Sequence, residues 1–169
     1  MKRHVYTNGD GSVAIVTPAP KVELEKILGP MSDAQYEAHV LSRSIPPDAI
    51  NVTPIEDVDI PSDREFRDAW KQNNNKVDFD LPKAQNIQLE RIRKAREPKF
   101  AELDAEFIVA LEKNKDTTTI KARKQELRDA TEAIKNITPT SIEDIKSAFP
   151  PFLRSQVMPY KPKPKPKRN

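Results

Sequence analysis

Few residues in this chain have the type and spacing that chemistry requires. The only histidines are His4 and His39, and there is no cysteine. Neither histidine stands at the spacing of a metal-binding pair such as HxxxH or HExxH, and without cysteine there is no thiolate ligand, thiol nucleophile or disulfide framework. His4 is expected to face solvent or a partner on a first strand. Asp57, Asp59 and Asp63 form an acidic cluster, and Asp78 and Asp80 a second pair. A calcium loop needs alternating oxygen ligands, a glycine at its sharp turn and a terminal glutamate; here Ile60-Pro61 occupies the place of the turn. Paired carboxylates can also hydrolyse glycosides, but that chemistry needs an aromatic-lined cleft, and the chain has one tryptophan. Helix N-caps and solvated loop charges account for these acids more simply. No GxSxG elbow occurs, and three glycines leave little material for an oxyanion loop. The expectation is a protein with no catalytic residue, no cofactor and no bound metal.

The loop Asn8-Gly9-Asp10-Gly11-Ser12 is the one glycine-bearing motif. A phosphate-gripping loop would continue into a helix N-terminus. Here RHVYT precedes and VAIVT follows, both β-branched or aromatic runs, so the segment reads as a β-hairpin.

Composition limits what can be packed. Of 169 residues, 33% are charged and only 36% hydrophobic, and 16 prolines stand against 3 glycines. With a mean hydropathy of -0.74, the chain should build a small core with extended arms. The net charge of +3 is unevenly placed. Lys161, Lys163, Lys165, Lys167 and Arg168 lie in the last eleven residues with no acid among them, and removing those five leaves 24 basic against 26 acidic residues. The pI of 9.0 is thus a property of the tail, and the body offers no basic surplus for nucleic acid. A basic run on the long helix, Arg91, Arg93, Lys94, Arg96 and Lys99, is interspersed with Glu90 and Glu97 and followed by further acids. That pattern fits an exposed face, or one matched to a partner of opposite polarity, rather than a phosphate backbone. No apolar stretch follows Met1-Lys2-Arg3, and none approaches the about 18 residues of a membrane helix. The chain is therefore expected to be soluble, made in a cytoplasm, and without membrane partners.

Element by element, Ser32-Asp33 should cap a helix reaching about Ser42, with Tyr36 and Val40 on one face. Prolines 46, 47, 54 and 61 exclude a helix or central strand over 45–61, leaving an edge strand near Ile50 to Thr53 or an extended arm that lies on something else. Ser62-Asp63 predicts a short helix, Arg64 to Lys71, presenting Phe66 and Trp70, which with Phe79 would join it to the hairpin. Gln72 to Asn75 reads as a loop and Lys76 to Asp80 as a brief extended stretch. From Leu81 to about Asn114, apolar positions 84, 87, 92, 95, 100, 103, 107, 110 and 111 trace a helical stripe, with a kink or a junction of two helices at Pro98. After a loop at Asp116, a second helix from Thr119 to about Ile134 completes an αα-hairpin. Thr140 to Glu143 has capping-box spacing for a short helix ending before Pro150-Pro151. The Lys-Pro alternation after Tyr160 favours polyproline II, either solvated or docked on an acidic or proline-binding groove.

The succession VYTNGDGSVAIVTPAP, IPSDREFRDAWK, VDFDLPKAQNIQLERIRKAREPKFAELDAEFIVALEK, a DTT loop and IKARKQELRDAT resembles small proteins encoded near the tail and tail-fibre genes of tailed bacteriophages and prophages. The resemblance covers most of residues 1–154 and is carried mainly by Arg64 to Trp70 and Lys83 to Thr131; the Lys-Pro tail departs from it. The helical hairpin is similar in style to the C-terminal part of tail-fibre assembly proteins. The resemblance implies a non-enzymatic virion tail component of the baseplate or fibre-attachment region, or alternatively a tail-fibre assembly chaperone. It would be assembled in the bacterial host cytoplasm, with other tail or fibre proteins, or further copies of itself, as partners. It supplies no catalytic residue to carry over.

The expected architecture is α+β. An N-terminal β-hairpin, short helices and an extended proline-rich arm would fill residues 1–80, an α-helical hairpin plus a short helix 81–149, and an extended basic tail 150–169. The residues expected to meet a partner are Phe66, Trp70, Leu103, Phe107 and Leu111, with Lys161, Lys163, Lys165, Lys167 and Arg168 of the tail.

Overall fold

The computed structural model describes residues 3–156. It mixes helix with small antiparallel sheets and divides into two compact units, Met1–Asp80 and Leu81 onward. The division falls where β-branched sequence gives way to sequence rich in Ala, Leu, Glu, Lys and Arg.

The first unit is organised by strand β1 (Arg3–Thr7) between β2 (Val13–Val16) and β3 (Ile50–Ile55), all antiparallel. The β1–β2 loop is five residues long, closed by Asn8 N–H to Ser12 O at 2.8 Å and Gly11 N–H to Asn8 O at 2.9 Å. Gly11, at φ +78°, supplies the left-handed residue this loop needs. Because side chains alternate along a strand, β1 feeds two cores. Val5 packs with Val13, Ile55, Trp70 and Val77 on one face, while Tyr6 packs with Val16 and Val40 on the other. The second face is covered by α2 (Asp33–Ser44), whose Ser32 N-cap forms a full capping box with Gln35. The helix α1 (Lys21–Leu28), which sequence periodicity missed, buries no residue. The Lys21–Asp33 ion pair (2.7 Å) and the Tyr36 hydroxyl, donating to Ala19 O, hold the segment around it.

The first face is covered by a second hairpin, β4 (Trp70–Asn73) with β5 (Lys76–Phe79). This corrects the expected helix over Arg64 to Lys71: only Arg67–Ala69 forms a 3-10 turn, and Trp70 begins a strand. Asp63 accepts from Glu65 N–H two residues on, which turns the chain locally instead of capping a helix. Gln72 laces the two sheets together. Its Oε1 accepts from the Thr7 hydroxyl at 2.9 Å, and its Nε2 donates to Asn51 O (2.6 Å) and Thr53 Oγ1 (3.1 Å). The proline-rich segment is therefore held within its own unit as edge strand β3, and Pro54 pairs opposite His4 in the register.

In the second unit α3 (Leu81–Glu112) runs unbroken through Pro98. Pro98 cannot bond to the Lys94 carbonyl, but both residues are exposed, so water can satisfy that oxygen. Asn114, at φ +49°, ends the helix with Lys115 N–H donating to Ala110 O at 2.8 Å. α4 (Thr118–Asp129) returns antiparallel, as the pairs Lys124–Asp104 (2.7 Å) and Arg123–Glu106 (3.9 Å) require. It stops at Asp129, and a separate α5 (Glu132–Asn136) carries the buried Ile134, so the expected single helix to Ile134 is broken in two. Then follow α6 (Ile142–Ser147) and a 3-10 turn at Pro151–Gln156. The capping box of α6 is Ser141 with Asp144, one residue later than the expected Thr140 and Glu143. α4, α5, α6 and the last turn all pack on α3, over Ala84, Gln88, Ile92, Ala95, Leu103 and Ala110. Polar side chains of α3 finish neighbouring helix ends: Gln85 Nε2 donates to Ile134 O (2.6 Å), and Arg96 to Leu127 O and Arg128 O (both 3.3 Å).

Candidate interaction surfaces

The residues expected to meet a partner fall into three groups. Phe66 and Trp70 are buried, at 0% and 2% exposure. Trp70 packs with Val5, Val13, Ile55 and Val77, and with both rings buried neither forms an open contact surface. Leu103 is likewise buried, under the helical hairpin. Phe107 is half-buried, with the Lys124 ammonium 4.5 Å from its ring centre. Leu111 alone of this set is outward, at 53% exposure. Lys161, Lys163, Lys165, Lys167 and Arg168, with the Lys-Pro alternation, lie outside the described residues.

Leu111 is not isolated. Ile108 and Val109 beside it are also open to solvent, because Phe107 to Leu111 is an uninterrupted apolar run and one packed side cannot absorb five successive residues 100° apart. A shallow groove of about 430 Å³ opens along Ala105, Val109 and Ala110, edged by Glu106, Lys113 and Lys115. The length of this run is the signal that the stripe reading passed over: it marked 107, 110 and 111 as one face and left 108 and 109 unassigned.

The candidate chemical residues are placed elsewhere. His4 is buried, where the sequence pointed to a position facing solvent or a partner, because β1 is central and its even-numbered residues point under α2. Its Nε2 lies 3.4 Å from Glu37, and its Nδ1 has no hydrogen-bond partner. Asp57 pairs with Arg3 at 2.8 Å and Asp59 with Lys76 at 3.3 Å, so these acids bind strands and loops together. Asp78 accepts from the N–H of Phe79. Among the described residues no group of three His, Cys, Asp or Glu side chains converges as a metal site would require. In the basic run, Arg93 pairs with Glu90 and Lys99 with Glu102 (3.0 Å), both within one helical turn, and Arg96 is spent on the end of α4. Three of the five basic side chains are thus engaged within their own unit.

The perturbed carboxyls sit at helix starts. Asp144 is held below the usual carboxylate range by N–H and hydroxyl donation from Thr140, then from Ser141. Asp116 is lowered by the Thr118 hydroxyl and N–H. Asp33 is lowered and Lys21 raised by their mutual pairing. Each shift has a structural cause in capping or in an exposed ion pair. Among the described residues no helix is long and apolar enough to cross a membrane.

Comparison of the chain with protein-family models, with curated proteins and with solved structures found no match.

Proposed function

We propose that this protein is a non-enzymatic structural component of a bacteriophage virion tail, in the baseplate or fibre-attachment region, acting through protein–protein interfaces. The observation that carries the reading is the open apolar run at the end of α3. Ile108, Val109 and Leu111 are exposed on a helix whose opposite side is already packed. Contiguous apolar surface of this kind is what an assembly contact buries. The resemblance of most of residues 1–154 to small proteins encoded near tail and tail-fibre genes supplies the setting. Other tail or fibre proteins are the partners in this reading, and the tail lysines add a basic segment suited to an acidic neighbour.

Quantitative mass spectrometry of purified particles from the source phage tests it. A copy number that is a multiple of three or six relative to the major tail protein is the expected result. Absence from particles, with co-purification alongside unassembled fibre protein, would replace the reading with that of an assembly chaperone.

A further inference from the structure

The three-stranded sheet of the first unit has two edges, and they are built differently. β3 is sealed. Pro54 offers no N–H, and its pairing opposite His4 turns that missing donor outward. The register slips between Val5 and Thr7, Asn51 adopts φ +57°, and Asn51 O is already taken by Gln72 Nε2. A proline, a bulge and a capped carbonyl are the devices by which natural sheets block further pairing.

β2 has none of them. Val13-Ala14-Ile15-Val16, flanked by Ser12 and Thr17, contains no charge, no proline and no glycine. Its register with β1 is regular throughout. The bond from Asn8 N–H to Ser12 O fixes the alternation: 6↔14 and 4↔16 are the hydrogen-bonded pairs, so the N–H and C=O groups of Val13 and Ile15 point away from β1. Neither residue makes another hydrogen bond among the described residues. Unpaired strand edges of this kind recruit an extended chain.

We infer that β2 is a self-pairing edge, occupied by β2 of a second copy of this chain in antiparallel register, with Ala14 on the two-fold axis. The register follows from the outward groups. Val13 of one copy faces Ile15 of the other, and each such pair exchanges both N–H···O=C bonds. The smallest side chain of the strand then sits where two copies approach most closely. No like charges oppose one another along the seam, as a self-complementary contact requires. Closure is the reason that the occupant is a second copy. Two three-stranded sheets become one continuous sheet bounded at both ends by sealed β3 edges, so pairing stops at the dimer. This inference concerns β2 alone and stands apart from the reading of the α3 surface.

The absence of cysteine makes the test clean. Across the proposed axis the two Ala14 Cα atoms form a non-hydrogen-bonded pair about 4.5 Å apart, within the range of about 4.4–6.8 Å that a disulfide spans. The two Ser12 residues are displaced by about 13 Å along the strands. The full-length wild-type protein is expected to sediment at twice the monomer mass. Mild copper–phenanthroline oxidation should convert Ala14→Cys into a covalent dimer and leave Ser12→Cys uncrosslinked. A wild-type monomer, a wild-type series growing beyond the dimer, or equal crosslinking of both variants overturns the inference. The first of these would assign the edge to an extended segment of a different protein.

Discussion

The sheet of the first unit and the last turns of α3 hold similar apolar residues and treat them in opposite ways. Around β1, alternation sends Val5 to one side and Tyr6 to the other, and each side has its own cover, the β4–β5 hairpin and α2 respectively. At the end of α3, Phe107 to Leu111 are apolar without alternation. Ala110 goes inward, while Ile108, Val109 and Leu111 stay open. A strand with two covered faces can use every apolar residue it carries. A helix packed along one side cannot, and whatever its sequence places on the far side stays open to solvent.

That contrast can be broken most severely in the first unit. Phe66→Ala removes a ring with no exposed surface and should cost about 3–5 kcal/mol. Trp70, the only tryptophan, lies in the same unit, so urea unfolding followed by its fluorescence reads this loss directly. A loss under about 0.5 kcal/mol, the range of a surface substitution, would show that the burial of Phe66 is not what holds the unit. Ile92→Ala, at a fully buried position of α3, should cost about 2–5 kcal/mol, seen in helical circular dichroism rather than in tryptophan emission. Coincident loss of both signals would mean that the two units unfold as one.

Smaller changes sharpen the contrast. Ser141→Ala removes the N-cap acceptor that receives Asp144 N–H at 3.2 Å and should cost about 1 kcal/mol. Leu111→Asp, on the open face, should leave stability within about 0.5 kcal/mol of wild type. A larger loss would place Leu111 in a packed contact. The weakest effect is on acid stability. Asp144 and Asp116 have folded-state pKa values below their ordinary ones. The stability they add is fully present above about pH 4, the unfolded value, and fades as pH falls through their lowered folded values. An acid titration of the helical signal should therefore lose that increment below about pH 4, and Asp144→Asn should flatten its share.

Much of this architecture was readable in the residues. Asn8-Gly9-Asp10-Gly11 between β-branched runs marked the first hairpin, Ser32 with Gln35 marked α2, and Leu81 onward carried the period of α3. Other parts depended on tertiary context. Phe66 and Trp70 at i,i+4 fit a helix as well as a 3-10 turn running into a strand, and only the partner β5 decides between them. Thr140 and Ser141 both offer a hydroxyl three residues before an acid, and the structure uses Ser141 with Asp144. Pro98 reads as a break, yet its position on the exposed side lets α3 continue. His4 read as facing solvent or a partner because nothing in its own segment announces that β3 will flank β1, with Pro54 opposite His4, and make it central. α1 was missed because three of its four apolar residues, Val22, Ile27 and Leu28, face solvent, and none of the four is buried.

The central claim is that the open face of α3 is an interface inside the assembled virion tail. Its most direct test is a photo-crosslinking amino acid at Leu111, with Glu97, exposed on the same helix, as the control position, irradiated within purified particles. Adducts at Leu111 with another tail or fibre protein, and none at Glu97, are the predicted result. Particles that contain the protein but give no adduct at Leu111 would contradict the claim.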